Sequence, residues 1–131
     1  MLSLNASQRD AILAACIRAL PNEGCGLLLG ARDVVTDVVD SPNVADSAKL
    51  YEVDPRVLLS ATRHADDQGI DVLGVFHSHT HSEAYPSPTD VAQAPDPSWH
   101  YLIVSLRDAP VMRSFRVLEG SVVEEPLSIG A

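Results

Sequence analysis

The chain has 131 residues, 46% hydrophobic and 21% charged, a composition that predicts a single globular domain over residues 1–131. Its formal net charge of −9 opposes binding to a phosphate backbone, so we expect no nucleic-acid partner. No apolar run reaches the roughly 18 to 20 residues of a membrane span, which argues against a membrane partner. The first residues carry neither a basic region nor a signal core and therefore predict a cytoplasmic protein.

The first half of the chain predicts two helices and two strands. Ser7 with Asp10 resembles a capping arrangement for the first helix, whose apolar residues recur at helical spacing. Asp54 is expected to cap the second helix, which Gly69 ends. The predicted elements are a helix at 6–20, a strand around 27–29, a strand at 33–40, a loop at 41–50 and a helix at 55–69.

The second half predicts strands with one short helix between them. Val72–Phe76 is a continuous apolar run and predicts a buried strand. Ser87 is typical of a helix cap, with Pro88 at the first helical position and Asp90 in the first turn. Bulky or alternating residues then predict strands at 99–106, 111–118 and 121–124. This order indicates a mixed sheet with helices packed on it, an α/β or α+β fold.

The residues around the buried strand predict a metal site. Alternate side chains of a strand share a face, so His77 and His79 should project to the same side and can hold one metal ion. Asp90, at a nearby helix start, can supply a third ligand. Catalytic zinc takes three protein ligands and leaves a fourth position for water.

Each of these residues also has a simpler interpretation. His77 and His79 can be a hydrogen-bonded core pair, and Ser87 with Asp90 can be only a cap and its first-turn acid. His81 is a third histidine that can compete as a ligand. Cys25, between two glycines, can be a metal ligand, a nucleophile or a small buried hydrophobe, and the last is the commonest role of a free cysteine.

Taken together, the pattern Glu23 … His77-x-His79-x(7)-Ser87-x-x-Asp90 resembles the JAMM signature of the MPN-type zinc metalloproteases, spacing included. The neighbouring residues resemble the bacterial Mec-type peptidases of that family. They are Pro21-x-Glu23-x-Cys25-Gly26, His77-Ser78-His79-Thr80 and Glu83-Ala84-Tyr85-Pro86-Ser87-x-Thr89-Asp90.

This resemblance implies a fold and a role for each residue. The fold is the MPN domain, a curved mixed sheet between helices that is similar to the cytidine-deaminase arrangement. His77, His79 and Asp90 match the ligands of one zinc ion, Glu23 matches the acid–base residue, and Ser87 matches the residue that stabilises the oxyanion. His81 is expected in the loop, facing solvent or substrate, because Asp90 completes the ligand set.

The resemblance also implies a substrate. A Mec-type enzyme hydrolyses the bond after the C-terminal Gly-Gly of a ubiquitin-like sulfur-carrier protein and releases cysteine, in a cysteine-biosynthesis route. Two alternatives stay open: an isopeptidase or tail-trimming protease for other ubiquitin-like modifiers, and a non-catalytic MPN scaffold. The interval between Glu23 and His77 leaves little room for the large insertions with which eukaryotic relatives grip ubiquitin chains.

Overall fold

The computed structural model describes residues 1–131. It contains eight strands and three helices. In chain order these are β1 (Leu2–Asn5), α1 (Ala6–Ala19), β2 (Cys25–Ala31), β3 (Val34–Ser41), α2 (Pro55–Gln68), β4 (Asp71–His79), α3 (Pro88–Ala92), β5 (His100–Ser105), β6 (Val111–Leu118), β7 (Ser121–Glu125) and β8 (Leu127–Gly130). None of the three helices combines the length and apolar character that a membrane crossing requires.

All eight strands form one mixed sheet in the order β7-β6-β5-β4-β2-β3-β1-β8. Strand β4 pairs with β5 in parallel, whereas it pairs with β2 in antiparallel orientation. The strands at the two ends of the sheet, β7 and β8, are separated in sequence by Pro126 alone. Because one residue spans so short a distance, the sheet must curve until its two ends approach each other.

The sheet is buried on both faces, so its central strands are apolar without alternation. On one face, Leu28, Phe76 and Leu102 pack in a core that includes residues of α1. On the other face, their sequence neighbours Val75 and Ile103 pack in a second core that includes Ala61 of α2. These side chains are almost fully buried, and each contributes about 1.5 to 3 kcal/mol by leaving water. The expected mixed sheet with helices packed on it is confirmed.

The start of α1 differs from the expected one. Asn5 is the N-cap and forms a capping box with Gln8, so the expected cap of Ser7 with Asp10 is wrong. The missed feature is β1, which precedes the helix directly and fixes where it begins. The apolar residues of α1 at helical spacing are expected to face the core, but one of them, Ile17, is 53% exposed. The helix buries only a narrow stripe of residues spaced three and four apart.

The later elements agree with the sequence predictions at most boundaries. Helix α2 begins after its cap Asp54, whose side chain accepts a hydrogen bond from the Arg56 N–H at 2.9 Å. It ends at Gly69, which adopts the left-handed conformation with φ of 68°. Strand β4 is longer than predicted and runs through His79, so both histidines of interest lie inside a regular strand.

A buried polar network joins strands that are far apart in sequence. The Glu125 carboxylate on β7 lies 2.6 Å from Nδ1 of His100 on β5 and accepts a hydrogen bond from the Ser114 hydroxyl on β6 at 2.8 Å. His100 Nε2 lies 2.8 Å from Asp33, in the turn between β2 and β3. Burial raises the pKa of Glu125, but the contacts with His100 and Ser114 outweigh it and lower the pKa to about 2.

We expect Glu125→Gln to lower the free energy of unfolding by about 2 to 3 kcal/mol at pH 7, because a depressed carboxylate pKa stabilises the folded state. That stabilisation is complete above the unfolded-state pKa of about 4.5 and is lost as pH falls toward about 2. Denaturant titrations at pH 7 and pH 3 measure it. Glu124→Gln is the matched control, since that glutamate pairs with Arg113 at the surface. Equal losses in the two variants would contradict the prediction.

Candidate metal centre

The end of β4 carries the first two residues of the site. Val75, His77 and His79 alternate along the strand and therefore project to the face covered by α2. Both imidazoles are buried, with 1% of His77 and 4% of His79 exposed. Burial lowers the pKa of His77, which favours the neutral imidazole that binds a metal.

The third residue is positioned by the first turn of α3. Ser87 caps the helix: its hydroxyl oxygen accepts a hydrogen bond from the Asp90 N–H at 3.0 Å. In return, the Ser87 N–H donates to Asp90 Oδ2 at 2.9 Å. This reciprocal capping box fixes the carboxylate, and it places Oδ2 3.2 Å from His77 Nε2 and 3.0 Å from His79 Nε2.

The three atoms converge as metal ligands do. His77 Nε2 and His79 Nε2 are 3.2 Å apart, so the three ligand atoms form a nearly equilateral triangle. Ligands at 2.0 to 2.2 Å from a tetrahedral zinc lie roughly 3.3 to 3.6 Å from one another, close to these separations. His79 Nδ1 lies 2.8 Å from the Glu83 carbonyl oxygen, which places the proton on Nδ1 and leaves the Nε2 lone pair for a metal. The residues present therefore fit a zinc ion.

His77 is held differently from His79. Its Nδ1 is buried and has no hydrogen-bond partner. Instead the Tyr51 ring stacks on the imidazole, with ring centroids 4.1 Å apart and planes inclined by 15°. Tyr51 lies in an irregular segment far from His77 in sequence, and no local pattern connects the two residues, so this contact could not be predicted from the sequence.

Glu23 lies opposite His79 across the β2–β4 pairing. Cys25 is paired with His77, and the Ser78 N–H donates to the Gly24 carbonyl at 3.0 Å, so the register continues towards Glu23. The Glu23 side chain is 3% exposed and its Oε1 has no hydrogen-bond partner. Burial raises the pKa of Glu23 to about 7, with His79 opposing the shift and Asp90 adding to it.

A cavity of about 250 Å³ gives access to these groups, and its wall includes Glu23, His79 and Ser87. The capping bond to Asp90 uses a lone pair of the Ser87 hydroxyl and leaves the hydroxyl proton free to donate. The structure therefore brings together a proton acceptor, a hydrogen-bond donor and the three ligand atoms, as the sequence predicted. Their catalytic roles stay predictions.

Two other candidates lie outside the ligand group. His81 is exposed and lines the cavity, but it is not among the three residues whose ligand atoms converge. Cys25 is buried, and its sulfur lies 3.7 to 3.9 Å from the carbonyl oxygens of Ser41, Pro42 and Glu52. Burial raises the pKa of the Cys25 thiol to about 12, so the thiolate that a ligand or nucleophile needs is suppressed.

Comparisons with known proteins agree with this geometry. Residues 5–118 match the model of a family described as prokaryotic homologs of the JAB domain. The CysO-cysteine peptidase of Mycobacterium tuberculosis is 35% identical over 133 residues, which cover 98% of this chain and 91% of that protein. The desampylase of Haloferax volcanii is 38% identical over 111 residues, which cover 79% of this chain and 80% of that protein.

Solved structures support the fold. A protein of Desulfitobacterium hafniense superposes with a TM-score of 0.91 at 39% identity, covering 98% of this chain and 92% of that one. A JAB1/MPN domain protein of Archaeoglobus fulgidus, at 20% identity, superposes with a TM-score of 0.64 over the full length of both chains. The second likeness concerns the fold alone, and it confirms the expected MPN-type architecture.

We expect His77→Ala and Asp90→Ala to lose most of the bound metal, because two remaining ligands do not hold an ion in a site built for three. His81→Ala should keep one metal ion per chain, since His81 lies outside the converging group. Elemental analysis of the purified variants measures the occupancy. Full occupancy in His77→Ala, or an empty site in His81→Ala, would show that the ligand set is wrong.

Tyr51→Ala should weaken metal affinity by about 3- to 10-fold. An aromatic stack stabilises the orientation of its partner ring by roughly 0.5 to 1.5 kcal/mol, and this orientation would be lost. Tyr51→Phe is the matched variant: it keeps the ring on His77 and should bind metal as the wild type does. Competition with a chromophoric chelator measures both affinities. If Tyr51→Ala binds as tightly as Tyr51→Phe, the stack does not position the ligand.

Proposed function

Because the chain belongs to the family of prokaryotic JAB-domain homologues, we propose that it is a zinc peptidase of the JAMM type, acting on a ubiquitin-like sulfur-carrier protein. It hydrolyses the bond after the carrier's C-terminal Gly-Gly and releases cysteine, in a cytoplasmic route of cysteine biosynthesis. The observation that carries the proposal is the unpartnered carboxylate of Glu23 beside three converging ligand atoms. The extended similarity to a CysO-cysteine peptidase supports the choice of substrate.

His77, His79 and Asp90 are the residues that would hold one zinc ion. When bound, zinc polarises the scissile carbonyl and activates a water molecule at neutral pH. The chain prepares this site in advance: the Asp90 carboxylate is fixed by the cap at Ser87, and burial keeps the imidazole of His77 neutral.

Glu23 moves the proton. Its Oε1 has no competing hydrogen bond, so it can accept a proton from the attacking water and later deliver it to the departing amine. Burial raises the pKa of Glu23 and thereby makes its carboxylate a stronger base for the first step. A group in this role is typically worth about 10² to 10⁴ in rate.

Ser87 stabilises the charge that develops on the carbonyl oxygen. Its hydroxyl proton is not used by the capping bond and can donate to the oxyanion from the cavity wall. Because the cap holds Ser87 before substrate arrives, little rearrangement is needed during the reaction. A preorganised donor of this kind contributes about 10² to 10³ in rate.

The narrow cavity favours a thin substrate segment. A volume of about 250 Å³ lies below the range of typical small-molecule pockets and holds only a few residues without bulky side chains. A Gly-Gly tail meets that requirement, and the folded body of the carrier then stays outside. The second candidate, an isopeptidase for ubiquitin-like modifiers, is supported by the similarity to a desampylase. The complete set of five residues argues against a non-catalytic scaffold.

The test uses a purified ubiquitin-like carrier that ends in Gly-Gly-Cys. The wild-type enzyme should convert it to the Gly-Gly form with release of free cysteine, as measured by mass spectrometry, and a zinc chelator should block the reaction. Glu23→Gln should keep its metal but lose activity by at least about 100-fold, because an amide cannot accept the proton.

A lysine-linked isopeptide of the same carrier serves as the comparison substrate. Brisk cleavage of the isopeptide alongside an unchanged cysteine adduct would overturn the main proposal in favour of the isopeptidase. Activity of Glu23→Gln within a few-fold of the wild type would remove Glu23 from the mechanism.

A further inference from the structure

One cationic side chain stands at the mouth of the active-site cavity. Lys49 is the only lysine of the chain, and it lines the same cavity of about 250 Å³ as Glu23, His79 and Ser87. Six of the eight arginines form salt bridges with carboxylates, whereas Lys49 forms none. In a protein of net charge −9, an unpaired cation beside the reacting groups calls for a functional explanation.

The segment that carries Lys49 is fixed to both walls of the cavity. On one side, the Ser47 carbonyl accepts a hydrogen bond from the Glu23 N–H at 2.8 Å. On the other side, the Ala48 carbonyl accepts one from the Thr80 hydroxyl at 3.2 Å. The Lys49 N–H itself donates to the Ser47 hydroxyl at 3.0 Å. The backbone of Lys49 is therefore anchored, while its flexible side chain remains exposed beside the cavity.

No positive charge within the site remains free to pair with an additional anion. Glu23 and Asp90 are the two carboxylates at this site, and a divalent ion held there would balance their negative charges. A substrate that brings its own carboxylate next to Glu23 is repelled unless a further cation receives it. Lys49 is the one lysine or arginine among the residues that line this cavity.

The two proposed substrate classes differ in whether a free carboxylate lies next to the scissile bond. A single amino acid released from a carrier's C-terminus has a free α-carboxylate, only about 2.5 Å from the nitrogen that departs. That carboxylate must enter the cavity together with the scissile bond. In a lysine-linked isopeptide, the departing nitrogen belongs to the lysine side chain. The carboxyl group of that lysine is part of a peptide bond, so no free carboxylate accompanies the departing nitrogen.

We propose that Lys49 binds the free α-carboxylate of the released C-terminal residue and so directs the enzyme to single-residue removal rather than isopeptide cleavage. This inference rests on the proposed peptidase function. Lys49 is a specificity residue: it forms a charge-assisted hydrogen bond with the departing amino acid and takes no part in proton transfer.

The experiment compares two carrier adducts, one ending in Gly-Gly-Cys with a free carboxylate and one whose terminal carboxylate is an amide. For the wild type, amidation should lower kcat/KM by about 10-fold or more. Lys49→Met should lower kcat/KM on the free acid by a similar factor and show no further effect of amidation. The same variant should cleave the amide as the wild type does, which shows that it is folded and competent.

Arg63→Met is the matched control, since it removes one unpaired exposed cation from α2 and leaves the cavity intact. It should behave as the wild type on both adducts. Equal cleavage of acid and amide by the wild type would overturn the role of Lys49 while leaving the peptidase function standing. An amidation effect that persists in Lys49→Met would also overturn it. If the wild type cleaves neither adduct, the proposed function itself fails.

Discussion

The register of β2 against β4 is the constraint on which the site depends. It pairs Cys25 with His77 and thereby brings Glu23 opposite His79. A slip of one residue in β4 would turn both histidines to the other face of the sheet. Gly26 helps to fix this register, since a Cβ at that position would lie 2.2 Å from the Val39 carbonyl and collide with the ring of Phe76. The Glu23 carboxylate and the two imidazoles are thus positioned by backbone pairing.

The same contacts serve folding and metal binding at the start of α3. Ser87 and Asp90 satisfy the helix end by exchanging hydrogen bonds, and this exchange also immobilises the carboxylate between two imidazoles. The arrangement has a cost without an ion, because two imidazole nitrogens and a carboxylate oxygen converge to within 3.2 Å of one another in a largely buried site. Binding of a metal offsets part of that cost, so occupancy of the site should contribute to the stability of the fold.

Much of the site was predictable because its residues are encoded by local patterns. His77 and His79 share a strand face by alternation, and the Ser87 cap with Asp90 is a short-range helix signal. Tyr51 was not predictable, since its stack on His77 depends on how an irregular segment packs against β4. For the same reason the terminal strands β1 and β8 were missed: they are short, and their pairing joins opposite ends of the chain. Because β1 is not evident from the sequence, the local pattern favours Ser7 as the cap of α1.

The side-chain amide of Asn43 holds the loop that borders the cavity. The Asn43 side chain donates to the carbonyl oxygens of Glu23 and Leu50 at 3.0 and 2.9 Å and accepts from the N–H groups of Ala45 and Glu52 at 3.0 Å. It thereby organises the irregular segment 43–53, which carries both the stacked tyrosine and the lysine. Sheet register fixes the two histidines, whereas the side-chain hydrogen bonds of Asn43 fix the segment that borders the cavity at Lys49. Within this segment, a substitution at Lys49 is expected to change the preferred substrate, whereas a substitution at Tyr51 also acts on His77 through the ring stack.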